Sequence, residues 1–281
     1  MKIGKYEVQF LPTGSFGLDG GAMFGIIPKV LWQKTNPPDE ANRITLGTRC
    51  ILLQSESKNI LVDTGIGDFW DDKFNKIYRI DKSDSSLEKS LQHVNLTAED
   101  ITDVILTHLH FDHTGGSTVL EKGKMIPAFP NAKYYVQKKH FDWALNPSDR
   151  DRGSFIPDRF LPLRDEGLLT FTDGNFHFDD EIELIEINGH TFSQQMVKLS
   201  DGNETLLFCG DLIPTSSHIP IPYVMGYDIQ PLVTVEEKKK FLSVAVDEEW
   251  KIVFEHDPLI TAATVTKTGK GFVVKEKFEK L

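Results

Sequence analysis

Apolar and polar positions along this chain change period several times. "RITLGTRCILLQ" (Arg43–Gln54) and "NILVDTG" (Asn59–Gly65) read as consecutive strands joined by the polar turn "SESK". "DVILTH" (Asp103–His108) has the length and apolar character of a buried strand, and so does "KYYVQ" (Lys133–Gln137). Helical spacing appears in "SLEKSLQHV" (Ser86–Val94), "QKKHFDWAL" (Gln137–Leu145) and "TVEEKKKFLSVAV" (Thr234–Val246). "TAED" (Thr97–Asp100) is a Thr-x-x-Asp variant of the capping box and predicts a short helix start. Strand patterning resumes in "LLTFTDG" (Leu168–Gly174), "EIELIEINGH" (Glu181–His190), "TLLFCGD" (Thr205–Asp211) and "WKIVFEHD" (Trp250–Asp257). "ATVTKTGKGFVVKE" (Ala263–Glu276) predicts a hairpin around Gly269–Gly271. Two sets of strands, each followed by helices, give an α/β chain in which sheets pack together with helices outside. No repeat or convincing linker divides it, so one domain over residues 1–281 is expected.

Two stretches resist this reading. "NPSDRDRGSFIPDRFLPLRDEG" (Asn146–Gly167) is rich in proline, glycine and charge, and reads as a long connection of the kind that forms lids or walls. Gly14–Trp32 is glycine-rich and apolar and groups with the loops that set substrate choice.

The 281 residues are 40% hydrophobic and 26% charged, enough for a sizeable core. No apolar run approaches the roughly 20 residues of a membrane helix, and the start has no signal-like apolar segment, so no membrane partner and a cytoplasmic location are expected. Two cysteines, Cys50 and Cys209, make no disulfide framework. A net charge of -11 repels phosphate backbones and argues against nucleic acid. The basic run Lys238–Lys240 reads as a solvated helix face.

Chemistry concentrates in "THLHFDH". His108, His110, Asp112 and His113 crowd behind an apolar strand, and the chain has only nine histidines. Imidazole and carboxylate suit zinc, and also iron, cobalt or manganese. One loop offers too few ligands, but three later strand tips end in His190, Asp211 and His256. Four strand ends carrying metal-capable residues are hard to explain as packing.

These motifs resemble those of the metallo-β-lactamase superfamily of hydrolases. "THLHFDH" is similar to its His-x-His-x-Asp-His signature, "NILVDTG" to its Asp-Thr-Gly turn, and "GH" at 189–190, "GD" at 210–211 and "EHD" to its later ligand positions. The resemblance implies a four-layer αβ/βα sandwich of two mixed sheets with outer helices. It implies two divalent metal ions, zinc before iron, manganese or cobalt. His108, His110 and His190 would hold one; Asp112, His113 and His256 the other; Asp211 would bridge them, and Asp63 would brace the ligand loop. A bridging hydroxide would attack a carbonyl or phosphoryl centre, with Asp112 passing a proton to the leaving group. Many relatives read Gly-His-Thr-Pro-Gly where this chain reads "GHTFS" (Gly189–Ser193).

"HLHFDHTGG" and "GDLIPTSSH…YVMGYD" look most like the branch holding N-acyl-homoserine lactone lactonases and methyl parathion hydrolases. The expected substrate is therefore a small lactone or ester. Met23, Phe24, His218, Tyr223 and Met225 are candidates for an apolar pocket wall, with core filler or a homodimer contact as the bland alternative. Several lactonases place a tyrosine three residues after the bridging aspartate; this chain has Pro214 there, leaving Tyr223 or His218 as substitutes. A phosphotriesterase and a glyoxalase II-type thioesterase are the alternative activities, the second lacking a basic patch near the motifs. A nuclease, a di-iron flavoprotein partner, an exported β-lactamase and a non-enzymatic metal binder fit less well.

Overall fold

The computed structural model describes residues 1–279. Two seven-stranded mixed sheets share one apolar interface. The first contains β1 (Lys2–Ile3), β2 (Tyr6–Asp19), β3 (Arg43–Gln54), β4 (Asn59–Val62) and β5 (Asp103–Ile105); a separate ribbon of β6 (Thr118–Glu121) and β7 (Lys124–Pro127) precedes β8 (Lys133–Gln137) and β9 (Leu169–Thr172), which complete it. The second runs in sequence order through β10 (Phe176–His177), β11 (Ile182–Ile187), β12 (Gln194–Ser200), β13 (Thr205–Phe208), β14 (Lys251–Val253), β15 (Ala262–Thr268) and β16 (Gly271–Phe278). Parallel pairing runs from β4 through β5 and β8 to the edge strand β9 in the first sheet, and joins only β13 and β14 in the second.

Strand alternation explains the layering. Ile51, Leu53, Ile60 and Val62 meet Ile182, Leu184, Leu206 and Phe208 between the sheets. Their odd-numbered or even-numbered neighbours, such as Leu52, Leu61, Ile185 and Leu207, face outward under helices. Both faces are buried, so the central strands read as nearly continuous apolar runs. The helices are α1 (Gly20–Phe24), α2 (Lys29–Trp32), α3 (Asp72–Tyr78), α4 (Leu87–His93), α5 (Phe111–Thr114), α6 (Lys138–Leu145), α7 (Leu161–Asp165) and α8 (Pro231–Asp247). α4, α6 and α7 pack on the first sheet through Leu91, Phe141, Ala144 and Leu163, and α8 on the second through Phe241, Leu242 and Ala245. The result is the expected four-layer arrangement.

Several sequence expectations change. β2 reaches Asp19, so the glycine-rich stretch from Gly14 begins as strand, with a register shift between Pro12 and Gly14. Lys238 is not on a solvated face: it is fully buried on α8, while Lys239 and Lys240 are exposed. Its Nζ donates to the carbonyls of Pro220 (2.9 Å) and Tyr223 (2.8 Å). The Thr97 capping box is present but opens only a single 3-10 turn. Cys50 and Cys209 are buried free thiols. No helix among the described residues is long and apolar enough to cross a membrane.

Candidate active site

The site lies where the central strands end. Asp63 follows β4, His108–His113 follow β5, and His190, Asp211 and His256 follow β11, β13 and β14. Parallel neighbours and the shared sheet interface bring these tips to one edge of the molecule. Asp63 adopts a left-handed conformation (φ 56°), so the chain turns at once after β4. Its Oδ1 accepts the Thr107 amide (2.7 Å) and its Oδ2 the Thr107 hydroxyl (2.7 Å), which fixes the start of the histidine loop. Gly67, Gly115 and Gly116 allow the Thr64–Gly67 turn to press against the end of that loop; a side chain at Gly115 or Gly116 would collide with backbone of Ile66 or Thr64.

Seven side chains converge in two groups. His110 Nδ1 lies 3.1 Å from His108 Nε2 and 3.1 Å from His190 Nε2. Asp211 Oδ2 sits 3.2 Å from His190 Nε2 and 4.0 Å from His108 Nε2. In the second group His113 Nε2 and His256 Nε2 are 3.2 Å apart, with Asp112 Oδ2 3.9 and 3.7 Å from them. Asp211 Oδ1 faces this group, 3.1 Å from His256 Nε2 and 3.6 Å from His113 Nε2. One carboxylate thus turns an oxygen to each group.

The outward nitrogens decide which imidazole atoms carry protons. His190 Nδ1 donates to Asp228 Oδ1 (2.9 Å), and His256 Nδ1 to the Gly47 carbonyl (2.9 Å). His113 Nδ1 meets Asp63 Oδ2 at 3.1 Å and Glu255 Oε2 at 3.0 Å. Thr107 Oγ1 spends its proton on Asp63, so it accepts from His108 Nδ1 at 3.0 Å. Each of these four rings therefore presents an Nε2 lone pair inward. The Nε2 lone pairs of His113 and His256, 3.2 Å apart, repel unless something positive lies between them. The buried Asp211 Oδ1 also accepts no well-aligned hydrogen bond.

The titration pattern says the same. Burial, with the neighbouring imidazoles, holds His108 and His110 well below the usual imidazole range. Burial would lower His113, His190 and His256 too, but the carboxylates around them win. Glu255, Asp112 and Asp211 raise His113; Asp211 and Asp228 raise His190; Asp211 and Glu255 push His256 up to about 9. Burial opposes ionisation of Asp211, yet the imidazoles hold it well below the carboxylate range. An anionic, lone-pair-lined cage takes up protons where cations would otherwise sit. The donor set, nitrogen and carboxylate oxygen with oriented outer partners, fits divalent metal ions.

A cavity of about 230 Å³ opens over both groups. Leu18, Met23, Leu46, Phe111 and Met225 form its apolar side. Tyr78, Arg150, Asp151, Ser154 and Tyr227 add polar groups. Met23 and Met225 line this cavity. Phe24, His218 and Tyr223 do not line the cavity. Phe24 stacks between Trp32 (5.4 Å) and His218 (4.6 Å), with Tyr223 edge-on. His218 is spent on Thr215 Oγ1 and the Met23 carbonyl, and burial lowers it to about 4. These three support the wall from behind. The connection 146–167 is a wall, supplying Arg150, Asp151 and Ser154.

Sequence reasoning missed Thr107, Asp228 and Glu255, which orient imidazoles, and Tyr78, Arg150 and Tyr227 in the cavity. Glu255 adjoins the candidate ligand His256, and Asp228 ends the "YVMGYD" run. Nothing in the sequence marked Tyr78 or Arg150.

With this fold and edge of metal-capable side chains, the chain belongs to the metallo-beta-lactamase superfamily, whose profile matches residues 43–256. Among individual proteins, it is 23% identical to the N-acyl homoserine lactonase of a Bacillus sp. over 263 residues, 89% of this chain and 93% of that one. The solved structure of a probable metal-dependent hydrolase from Staphylococcus aureus superposes with a TM-score of 0.88 at 28% identity, covering 99% of this chain and 100% of that one. AidC, a dizinc quorum-quenching lactonase in complex with the product N-hexanoyl-L-homoserine, superposes with a TM-score of 0.80 at 28% identity over 99% and 97%.

Proposed function

We propose that this protein is a dinuclear metal-dependent hydrolase that opens lactone or ester bonds, with a lactone carrying an apolar acyl tail as the preferred substrate. The observation that carries this reading is Asp211, whose two oxygens face two separate groups of inward lone pairs beneath an apolar-walled cavity. His108, His110 and His190 would hold one ion, Asp112, His113 and His256 the other, with Asp211 between them. When bound, the ions supply Lewis acidity toward the carbonyl and water acidic enough to act as a nucleophile near neutral pH.

The chain's own groups do the rest. Asp112 accepts no hydrogen bond from another described residue, so the carboxylate oxygen not used to hold the ion would take the proton of the attacking water and return it to the leaving alkoxide. Burial, aided by Asp112, raises the Tyr78 phenol, and burial raises Tyr227, so both remain donors to substrate oxygens at neutral pH. Tyr227 takes the place that Tyr223 or His218 was expected to fill. Leu18, Met23, Leu46 and Met225 receive the apolar tail. Arg150, at the cavity rim, donates to the carbonyls of Gly226 and Asp228 and offers positive charge to a polar acceptor beside the tail. A turnover panel on zinc-loaded protein tests the assignment: acyl-homoserine lactones, simple lactones, aryl esters, an organophosphate triester and a glutathione thioester. The lactones should be preferred; a preference for the thioester or the triester would replace this reading.

A further inference from the structure

His140 lies on α6, outside both ligand groups, and is fully buried. Its two ring nitrogens are each committed. Nε2 is 2.8 Å from the Leu109 backbone nitrogen, which can only donate. Nδ1 is 2.7 Å from the Phe192 carbonyl oxygen, which can only accept. The tautomer follows without sight of a hydrogen: the proton is on Nδ1, and the ring is neutral. Burial agrees, lowering this imidazole to about 4.

The partners matter more than the ring. Leu109 is the residue between His108 and His110, and Phe192 is two residues beyond His190. Those three histidines, together with Asp211, form one of the two ligand groups. We propose that His140 is a positioning residue that bolts the His108–His110 loop to the His190 loop and so sets the affinity of that one metal position. This rests on the dinuclear reading above.

The rest of the environment supports selectivity. Ser193, next to Phe192, sits in a left-handed conformation (φ 53°), so this loop is held in a costly path. The ring of Phe155 packs against both His140 (5.8 Å) and His110 (4.7 Å), closing the pocket around the bolt. Asp112, His113 and His256, the other group, make no hydrogen bond to His140. Their outer partners are Asp63, Glu255 and Gly47. A defect at His140 should therefore be felt at one position and spare the other.

The test is titration of metal-stripped, folded protein with Zn²⁺ against a chromophoric chelator, which reads affinity without turnover. Wild type should bind two ions. His140→Phe fills the space but removes both hydrogen bonds, and should weaken one of the two affinities about 10–100-fold while leaving the other within about threefold. His140→Gln, whose amide carries one donor and one acceptor at similar spacing, should recover most of the loss. Equal affinities in H140F and wild type would overturn the proposal. So would equal loss at both positions in H140F with no recovery in H140Q, because a general packing role would behave that way. Should H140F fail to fold, H140Q alone decides: two ions bound with near-native affinity supports the bolt, and loss of both overturns it. Wild type that binds no zinc would instead remove the dinuclear reading on which the proposal stands.

Discussion

Asp211 is where charge, geometry and chemistry meet most tightly. Its oxygens face different histidine groups, so replacing it by asparagine removes the shared charge but keeps the shape. Asp211→Asn is expected to lower kcat/KM by at least about 10³-fold, consistent with loss of an electrostatic group at the reacting centre; loss of less than about tenfold would argue against a bridging role. Lys238 makes a separate point about single residues. Burial lowers its ammonium from 10.5 to about 7, and its Nζ holds the loop carbonyls of Pro220 and Tyr223. The unfolded chain binds that proton more tightly, so between about pH 7 and 10 the unfolded state carries more protons than the folded one, and this lysine makes stability rise with pH. Denaturant titrations across that window should show a rise in wild type that is diminished in Lys238→Met; identical slopes would mean that the lysine stays charged when folded. The position was readable after all: Thr234, Lys238, Phe241, Leu242 and Ala245 form the buried stripe of α8. A basic run drew attention away from the helical period.

At the scale of elements, strand tips carry the candidate ligands, and the proposed function leaves selectivity to the connecting loops. The tips were legible because each is a short apolar run ending in one polar residue. Other elements were hidden by physical compensation. β12 opens with Gln194 and Gln195, both buried, and their amides donate to Cys209 O (3.2 Å) and Leu106 O (2.8 Å). A polar pair that satisfies backbone acceptors does not look like a core strand. β2 continues through Gly14 and Gly17, where the glycine content suggested a loop; the strand accommodates Gly14 by a register shift. The 146–167 connection is anchored by Arg159, buried beneath Trp70 with its guanidinium 4.0 Å from the ring and donating to Gly115 O (3.1 Å) and Asp68 O (2.6 Å). Arg159→Ala should cost about 3 kcal/mol in unfolding free energy, since it strands the buried Gly115 carbonyl and a stacked ring; a change under about 0.5 kcal/mol would show the wall to be loosely held. Tyr227→Phe tests the other side of the cavity. It should lower kcat for lactones by on the order of 10²-fold if this phenol binds the developing oxyanion, whereas Tyr223→Phe should change kcat little, because Tyr223 lies behind Phe24.

For the whole molecule, the sandwich was legible because period-two alternation with both faces apolar leaves few arrangements besides two sheets under outer helices. Which loop side chains would enter the cavity was not, because an irregular segment has no period from which to read direction; the sequence reading named Tyr223, and Tyr227 in the same run lines the cavity instead. The global consequence of the site is a concentration of buried carboxylate and imidazole at one edge of both sheets. Metal binding should therefore stabilise the entire fold by linkage, by roughly 2.7 kcal/mol at a free ion concentration a hundred times Kd. The most direct measurement is the zinc stoichiometry of purified, reconstituted protein, read by elemental analysis alongside thermal unfolding, for wild type and Asp211→Asn. Two ions per wild-type chain, a clear rise in Tm on loading, and impaired retention in the variant are expected. One ion or none in wild type, or two held equally well without Asp211, would contradict the Asp211-bridged dinuclear reading.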